Sequence, residues 1–301
     1  MATVLITGGK GLIGNHLCKR LQEKGYEIAL LSRTRSRDEP IPTYLWDIDK
    51  YEIEKEAIAD ADYIVHLAGT SIGGKRWTAK RKRQIVESRI KTGQLIFHET
   101  KNQQGNLKAF ISSSAIGYYG SETSDRVFTE TDPPGEDFLG RTCRDWEHAA
   151  DRFNDLGIRS VKIRTGVVLT RRGGVLQKML IPMKTGVGSA IGTGKQYMPW
   201  IHIDDLCDIY IKAIEDVQMD GAYNAVAPDH LTNKAFTQSL ANTLSRTLWF
   251  PNIPGFVMKL LFGKMSVILL QGSRVSSKKI HAAGYRFLFP TLNGALKQLL
   301  Q

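Results

Sequence analysis

Short apolar runs alternate with longer amphipathic stretches through the first half of the chain. Val4–Ile6 is continuously apolar and reads as a buried strand, and Gly11–Lys24 then reads as a helix. Glu27–Leu31 predicts a second strand. Asp62–Leu67 predicts another, followed by a helix from about Thr78 to His98. Ala109–Ser112 is a further strand and Gly140–Leu156 a further helix. Ser160–Ile163 and Val167–Leu169 continue the series. Strands separated by helix-length stretches imply right-handed βαβ units and a parallel sheet. The expected fold class is therefore α/β, doubly wound.

Beyond about residue 170 the texture changes. Glycines cluster at 173, 174, 186, 188, 192 and 194, and prolines at 182, 199, 228, 251 and 254 mark breaks. This predicts loops and short helices in a smaller lobe, with Ala222–Val226 returning to the main sheet as one more strand. Residues 1–172 and 199–227 are assigned to the core. Residues 173–198 and 228–301 are assigned to an interleaved substrate lobe, including a C-terminal module of about 249–297. No repeat of fixed period and no low-complexity segment is visible.

With 301 residues, 42% of them hydrophobic, the chain can bury a core without disulfide or metal staples. Cys18, Cys143 and Cys207 are too few and too scattered for a disulfide framework, and none has CxxC spacing. A reducing, cytoplasmic setting is expected. The 41 basic residues exceed the 30 acidic ones by 11, which suits an anionic ligand, nucleic acid or an anionic membrane surface. The chain enters a strand at Ala2–Ile6 with no charged lead-in, so no signal peptide is expected. The apolar stretch Phe256–Leu270 is interrupted by Lys259 and Lys264 and is too short to span a bilayer. Helix packing in the C-terminal module, or a dimer contact, is its expected use. No membrane partner is expected, and the protein is read as a monomer or homodimer.

The strongest chemical signal is Thr7-Gly8-Gly9-Lys10-Gly11-Leu12-Ile13-Gly14, which follows the first strand directly and opens the first helix. Glycines at 8, 11 and 14 allow a tight turn, close approach of a pyrophosphate, and helix–strand packing. The helix start, including Leu12 and Ile13, then offers unpaired N–H groups and a positive dipole end to the phosphates. At the end of the second strand, where an acid would select NAD, the sequence reads Leu31-Ser32-Arg33-Thr34-Arg35-Ser36-Arg37, with no carboxylate before Asp38. Ser32 and Arg33 suit a 2′-phosphate, which a guanidinium grips with paired hydrogen bonds. The expected cofactor is NADP(H), read by Arg33 with Arg35 or Arg37 as helpers.

The TGxxGxxG spacing resembles that of the extended short-chain dehydrogenase/reductase superfamily. His66-Leu67-Ala68-Gly69, Ser112-Ser113-Ser114-Ala115 and Trp200-Ile201-His202-Ile203-Asp204-Asp205 agree with it. More narrowly, the chain is similar to atypical NAD(P)-binding epimerase-family proteins with a small extra C-terminal domain. Arg76-Trp77-Thr78, Glu87-Ser88-Arg89-Ile90, Ala115–Gly120, Asp145-Trp146-Glu147, Gly272–Val275 and Ala283–Phe287 carry that likeness. The resemblance implies a Rossmann core and a nicotinamide cofactor. It places Leu67, Ala68 and Gly69 along the adenosine and ribose, and Asp47 beside the adenine amino group. Ser112 to Ser114 fall at the strand end facing the nicotinamide, with Ser114 expected to hydrogen-bond a substrate hydroxyl or carbonyl.

Active members of that superfamily carry a Tyr-x-x-x-Lys pair, whose lysine lowers the tyrosine pKa for proton exchange with substrate. Aligned on Trp146-Glu147, the pair falls at Leu139 and Cys143, and no Tyr-x-x-x-Lys occurs in Phe138–Ala150. Loss of a positioned acid costs ~10²–10⁴ in rate. Tyr118 is the candidate substitute, with a structural tyrosine corner as the alternative for Tyr118 and Tyr119. Cys143 reads as a small core residue and His202 as a satisfied buried histidine. The basic cluster Lys75-Arg76 and Lys80–Arg83 around Trp77 reads as a solvated face, so no nucleic-acid partner is expected. The small-molecule substrate is not legible, and no metal motif appears.

The expected reading is an NADP(H)-binding, reductase- or epimerase-like oxidoreductase acting on a carbonyl or hydroxyl carbon. Its alternative is a non-catalytic NADP(H)-binding regulatory module. If Arg33 reads the 2′-phosphate, Arg33→Ala will weaken NADPH by about tenfold or more and leave NADH nearly unchanged in calorimetric titration. Equal losses for the two would refute the assignment.

Overall fold

The computed structural model describes residues 1–35, 40–103 and 105–301. In chain order its elements begin with β1 (Thr3–Thr7), α1 (Leu12–Glu23), β2 (Glu27–Ser32), β3 (Thr43–Asp47), β4 (Glu52–Ile53), α2 (Glu56–Ala59), β5 (Tyr63–His66) and α3 (Ala79–Asn102). They continue with β6 (Ala109–Ala115), β7 (Val127–Phe128), α4 (Phe138–Asp151), β8 (Arg159–Thr165), β9 (Val167–Leu169), α5 (Gly174–Lys184), β10 (Trp200–His202) and α6 (Ile203–Glu215). The last are β11 (Gly221–Ala225), α7 (Asn233–Thr243), α8 (Gly255–Phe262), α9 (Val267–Leu270), β12 (Arg274–Val275), α10 (Lys278–Ala282) and α11 (Leu292–Leu300).

An eight-stranded sheet has the order β11-β8-β6-β5-β1-β2-β3-β4, parallel throughout except for the β3–β4 edge. The chain runs outward from β1 in both directions, to β2 and β3 on one side and to β5, β6 and β8 on the other. That arrangement is doubly wound and Rossmann-like, and it opens a crevice at the carboxyl ends of β1 and β5. The strand pleat sorts the core. Val4, Ile6, Leu30, Val65 and Ile111 face α1 and α6, where Leu17, Leu21, Ile209 and Tyr210 cover them. Leu5, Leu31, Ile64 and Phe110 face the other way, against Leu95, Ile96 and Phe153. There the Phe110 and Phe153 rings stack 3.9 Å apart.

Three expectations change. Thr43–Asp47, not foreseen as a strand, joins β2 as its outer neighbour, and its Tyr44 and Leu45 are only half-buried, which blurs the apolar signal. Val167–Leu169 leaves the main sheet and pairs with Trp200–His202 in a separate two-stranded parallel sheet. Pro182 lies inside α5 rather than ending it; the helix stops at Lys184, so only its last turn loses a backbone bond. Gly221–Ala225 does return to the main sheet, beside β8.

The C-terminal region is fastened to the core by buried polar groups. Asp205, fully buried in the first turn of α6, accepts hydrogen bonds from Tyr285 Oη at 2.7 Å, Leu288 N at 2.7 Å and Phe289 N at 3.1 Å. The α6 N-terminus favours its charge there. His202, also fully buried, caps α6 by accepting from Asp204 N through Nδ1, and its Nε2 lies 3.0 Å from Gln298 Oε1 on α11. In Phe256–Leu270, Met258 and Met265 pack inward while Phe256, Leu260 and Leu261 are exposed. No described helix is long and apolar enough to cross a membrane.

Removing the Asp205 carboxylate leaves three donors without their acceptor. Asp205→Ala is expected to lower the unfolding free energy by about 3 kcal/mol in urea titration. A loss below about 0.5 kcal/mol would show that the clamp contributes nothing.

Candidate functional site

The crevice at the switch point begins where β1 passes into α1. Gly8 has φ +69, and a Cβ there would stand 3.0 Å from the Leu67 carbonyl carbon, so the turn lies directly against the exit of β5. Thr7 Oγ1 fixes that contact by accepting from Leu67 N at 3.1 Å and Ala68 N at 3.0 Å. A Cβ on Gly14 would come within 2.4 Å of the Gly8 oxygen, so the helix packs onto its own entry loop. Gly9, not singled out in the sequence, is the packing glycine against β2, where a Cβ would meet Leu30 Cδ2 at 2.3 Å.

Gly11 differs from these. An added Cβ would meet only the Gly8 oxygen, at 3.1 Å, and the position is otherwise open. It is the N-cap of α1, no side chain caps the helix, and its first turn holds no acidic residue. The leading N–H groups at Leu12, Ile13 and Gly14 thus lack a side-chain acceptor, and the positive dipole end is uncompensated. This is a cradle that a pyrophosphate fits and a Cβ would fill.

At the end of β2, Arg33 is exposed and makes no hydrogen bond or ion pair with another described residue. Ser32 sits beside it, its Oγ 3.4 Å from Thr34 N. Arg35, the expected helper, is engaged within the protein. Its Nε donates to the Thr43 carbonyl and its Nη2 pairs with Glu54, both at 2.5 Å, which turns the guanidinium towards β3 and β4. Arg37 lies outside the described residues. From the glycine turn, Lys10 Nζ donates to the Thr34 carbonyl at 3.0 Å, one residue along the chain from Arg33. Its place among the loop glycines was the signal for it. Asp47 ends β3, with Oδ1 accepting from Asp49 N and Lys50 N at 3.0 and 3.1 Å. It therefore shapes its own turn.

The three serines of β6 are all buried, and their hydroxyl partners distinguish them. Ser112 is fully buried even without a ligand, and its hydroxyl donates to the Ser113 carbonyl at 3.0 Å. The Ser112 side chain is therefore sealed from solvent within β6. Ser114, 3% exposed, donates to Glu147 Oε1 at 2.6 Å. Glu147 in turn takes Arg164 Nε and Nη2 at 2.8 Å each, a bidentate pair 7% and 4% exposed. Ser114 is thus tied into a buried ion-pair network, and its proton points at Glu147 rather than into open space. Burial opposes the Arg164 charge, but the Glu147 bonds outweigh it and hold the guanidinium protonated above its ordinary value.

Tyr119 belongs to the same network, donating to Asn224 Oδ1 at 2.6 Å and receiving Arg164 Nη1 at 3.0 Å. Tyr118 is half-buried, with the Arg164 guanidinium 3.4 Å from its ring centroid. Burial raises the pKa of both phenols, the reverse of what the missing lysine would do. Leu139 and Cys143 pack against Gly117. Burial, with Glu147 adding to it, pushes the Cys143 thiol up to about 12, so it is a neutral core thiol. Burial likewise drops His66 to about 3, and its Nε2 is 2.9 Å from Thr92 Oγ1.

The basic cluster is partly structural. Arg76 donates to the Leu260 and Leu261 carbonyls near the end of α8, and Arg81 Nη2 donates to the Ser71 carbonyl at 2.6 Å. Trp77 is 7% exposed, its Nε1 donating to the Ile72 carbonyl, so it offers no face for stacking on a base. Among the described residues no group of His, Cys, Asp or Glu could hold a metal ion.

Comparison with known proteins agrees with this architecture. The family model for the NAD dependent epimerase/dehydratase family matches residues 4–226, and a domain of unknown function, DUF1731, matches residues 253–299. The epimerase family protein YfhF of Bacillus subtilis is 34% identical over 99% of this chain and 97% of its own length. The human epimerase family protein SDR39U1 is 35% identical over 99% of each. The crystal structure of that human protein (isoform 2) with NADPH superimposes with a TM-score of 0.87 at 34% identity, covering 99% of this chain and 98% of the other. The UDP-glucose 4-epimerase of Thermotoga maritima, at 20% identity and a TM-score of 0.78, shares the fold, covering 99% and 97% of the two chains. With a match that runs from β1 through β11, this chain belongs to the NAD dependent epimerase/dehydratase family.

Proposed function

We propose that the chain binds NADP(H) in the crevice between β1 and β5 and acts as an oxidoreductase on the carbonyl or hydroxyl carbon of a small molecule. The observation that carries the reading is the uncapped start of α1 behind Gly11, held against the β5 exit by Gly8. When bound, the nicotinamide would supply or accept the hydride, while the protein contributes orientation and electrostatics. Arg33 and Lys10 supply two cations where a 2′-phosphate would lie, and no carboxylate among the described residues contacts Arg33 there. The human relative crystallised with NADPH supports the same preference.

Acid–base duty falls on few groups. Ser114 has its proton committed to Glu147, and Tyr118 holds its proton more tightly than a free phenol does. These residues orient and fill the nicotinamide end. Neither is poised as the superfamily's tyrosine is, so slow turnover is expected. The same observation favours a second reading, a non-catalytic module that reports NADP(H) through the lobe contacts of β9, β10 and α6.

Calorimetric titration of the full chain separates these from a chain that binds nothing. NADPH is expected to bind, and Gly11→Val to abolish uptake of both NADPH and NADH while far-ultraviolet circular dichroism stays unchanged. Retained affinity in Gly11→Val would mean that the turn is not the phosphate cradle. NADPH oxidation above a protein-free blank with a panel of carbonyl compounds supports the oxidoreductase. Binding without any such oxidation supports the regulatory module.

A further inference from the structure

The excess of basic residues is not spread along the chain. Residues 157–203 and 230–301 contain 17 Lys and Arg and no Asp or Glu, whereas the remaining residues carry 24 basic and 30 acidic side chains. The positive charge therefore lies in two segments, one spanning β8 to β10 and one spanning α7 to α11, and the rest of the molecule is net acidic. Such a distribution orients a protein against an anionic surface.

The same two segments expose large apolar side chains. Trp249 is 80% exposed, Phe256 71% and Leu260 73%, and Ile181, Phe250 and Leu261 are also exposed. They lie on adjoining elements. Just beyond α5, Ser189 Oγ donates to the Pro251 carbonyl at 2.6 Å, and Ile253 N donates to the Ala190 carbonyl at 2.8 Å. These bonds lay the α5 exit along residues 249–253. That strip runs directly into α8, where Phe256 and Leu260 are one helical turn apart and share a face. The expectation that Phe256–Leu270 packs within the C-terminal module holds for Met258 and Met265, while the outer face of α8 is left bare.

Cations accompany the strip. Lys184, Arg246, Lys259 and Lys264 are exposed, and each stands within three residues of one of these apolar side chains. None of the four is in an ion pair among the described residues. Aromatic and aliphatic side chains with a basic border fit an anionic lipid surface. The apolar groups enter the boundary between headgroups and acyl chains, and the long Lys and Arg stems reach the headgroups. Ile181, Leu260 and Leu261 have no ring to stack on a nucleic-acid base. Two copies meeting through this face would bring like charges together.

We propose that the α5 exit, residues 249–253 and α8 form a docking face for an anionic membrane. Docking is peripheral, since no described helix is long and apolar enough to cross a bilayer. It does not require a bound cofactor.

Trp249 reports the contact, because Trp46, Trp77, Trp146 and Trp200 are buried. With the full chain and vesicles of phosphatidylcholine mixed equally with phosphatidylglycerol, Trp249 emission is expected to shift to the blue and to lose its quenching by acrylamide. Vesicles of phosphatidylcholine alone should bind at least about tenfold more weakly. In co-sedimentation, Phe256→Ser combined with Leu260→Ser is expected to weaken uptake by the mixed vesicles about tenfold or more. Lys259→Gln combined with Lys264→Gln should weaken it by about tenfold. All four side chains are exposed, so far-ultraviolet circular dichroism should not change. No uptake by the mixed vesicles, or uptake that the Phe256 and Leu260 substitutions leave untouched, would overturn the docking face. Tighter binding to random duplex DNA than to the mixed vesicles would overturn it in favour of nucleic acid. A dimer in sedimentation equilibrium that the Phe256 and Leu260 substitutions dissolve would overturn it in favour of a second copy.

Discussion

The structure depends on one close approach, that of the Gly8–Gly14 turn to the exit of β5. A helix can point its bare N-terminus at a ligand only if nothing of its own fills the space. Here Gly8 and Gly14 press the loop against Leu67 and against itself, and Gly11 leaves the front open. Thr7 fixes the position by holding two successive β5-exit amides with one hydroxyl. The rest of the molecule follows from the need to keep that joint rigid. β1 lies at the middle of the sheet with a parallel neighbour on each side, and both of its faces are sealed by helices.

A second constraint shapes the far end of the crevice. Arg164 and Glu147 are both nearly closed to water, and such a pair persists only when its hydrogen bonds are complete. Ser114 and Tyr119 complete it. This network occupies the place where a serine and a tyrosine would otherwise be free for chemistry. Around Ser114 and Tyr119 the chain builds a hydrogen-bonded wall, whereas the start of α1 has no side-chain cap and no acidic residue in its first turn.

Much of this was legible in the sequence because it is local. The glycine spacing, the strand before it and the helix after it lie within one stretch, and the alternation Val4, Leu5, Ile6 already assigns opposite faces. What escaped was set by distant partners. Arg35 reads as a helper to Arg33 in the sequence, but in the fold it pairs with Glu54, just past β4. Ser112 and Ser114 are alike in a run of serines, and only the folded structure shows that one bonds its neighbour's carbonyl and the other Glu147. Pro182 was overweighted as a break because its cost depends on how many residues of helix follow it, here two.

The amides of the glycine turn can be followed directly. Hydrogen–deuterium exchange of peptides covering residues 7–15, with and without saturating NADPH, measures whether the start of α1 takes up the phosphates. Slower exchange at Gly11 to Gly14 in the presence of NADPH is expected. Unchanged exchange there, with NADPH bound elsewhere or not at all, would contradict the account at its root.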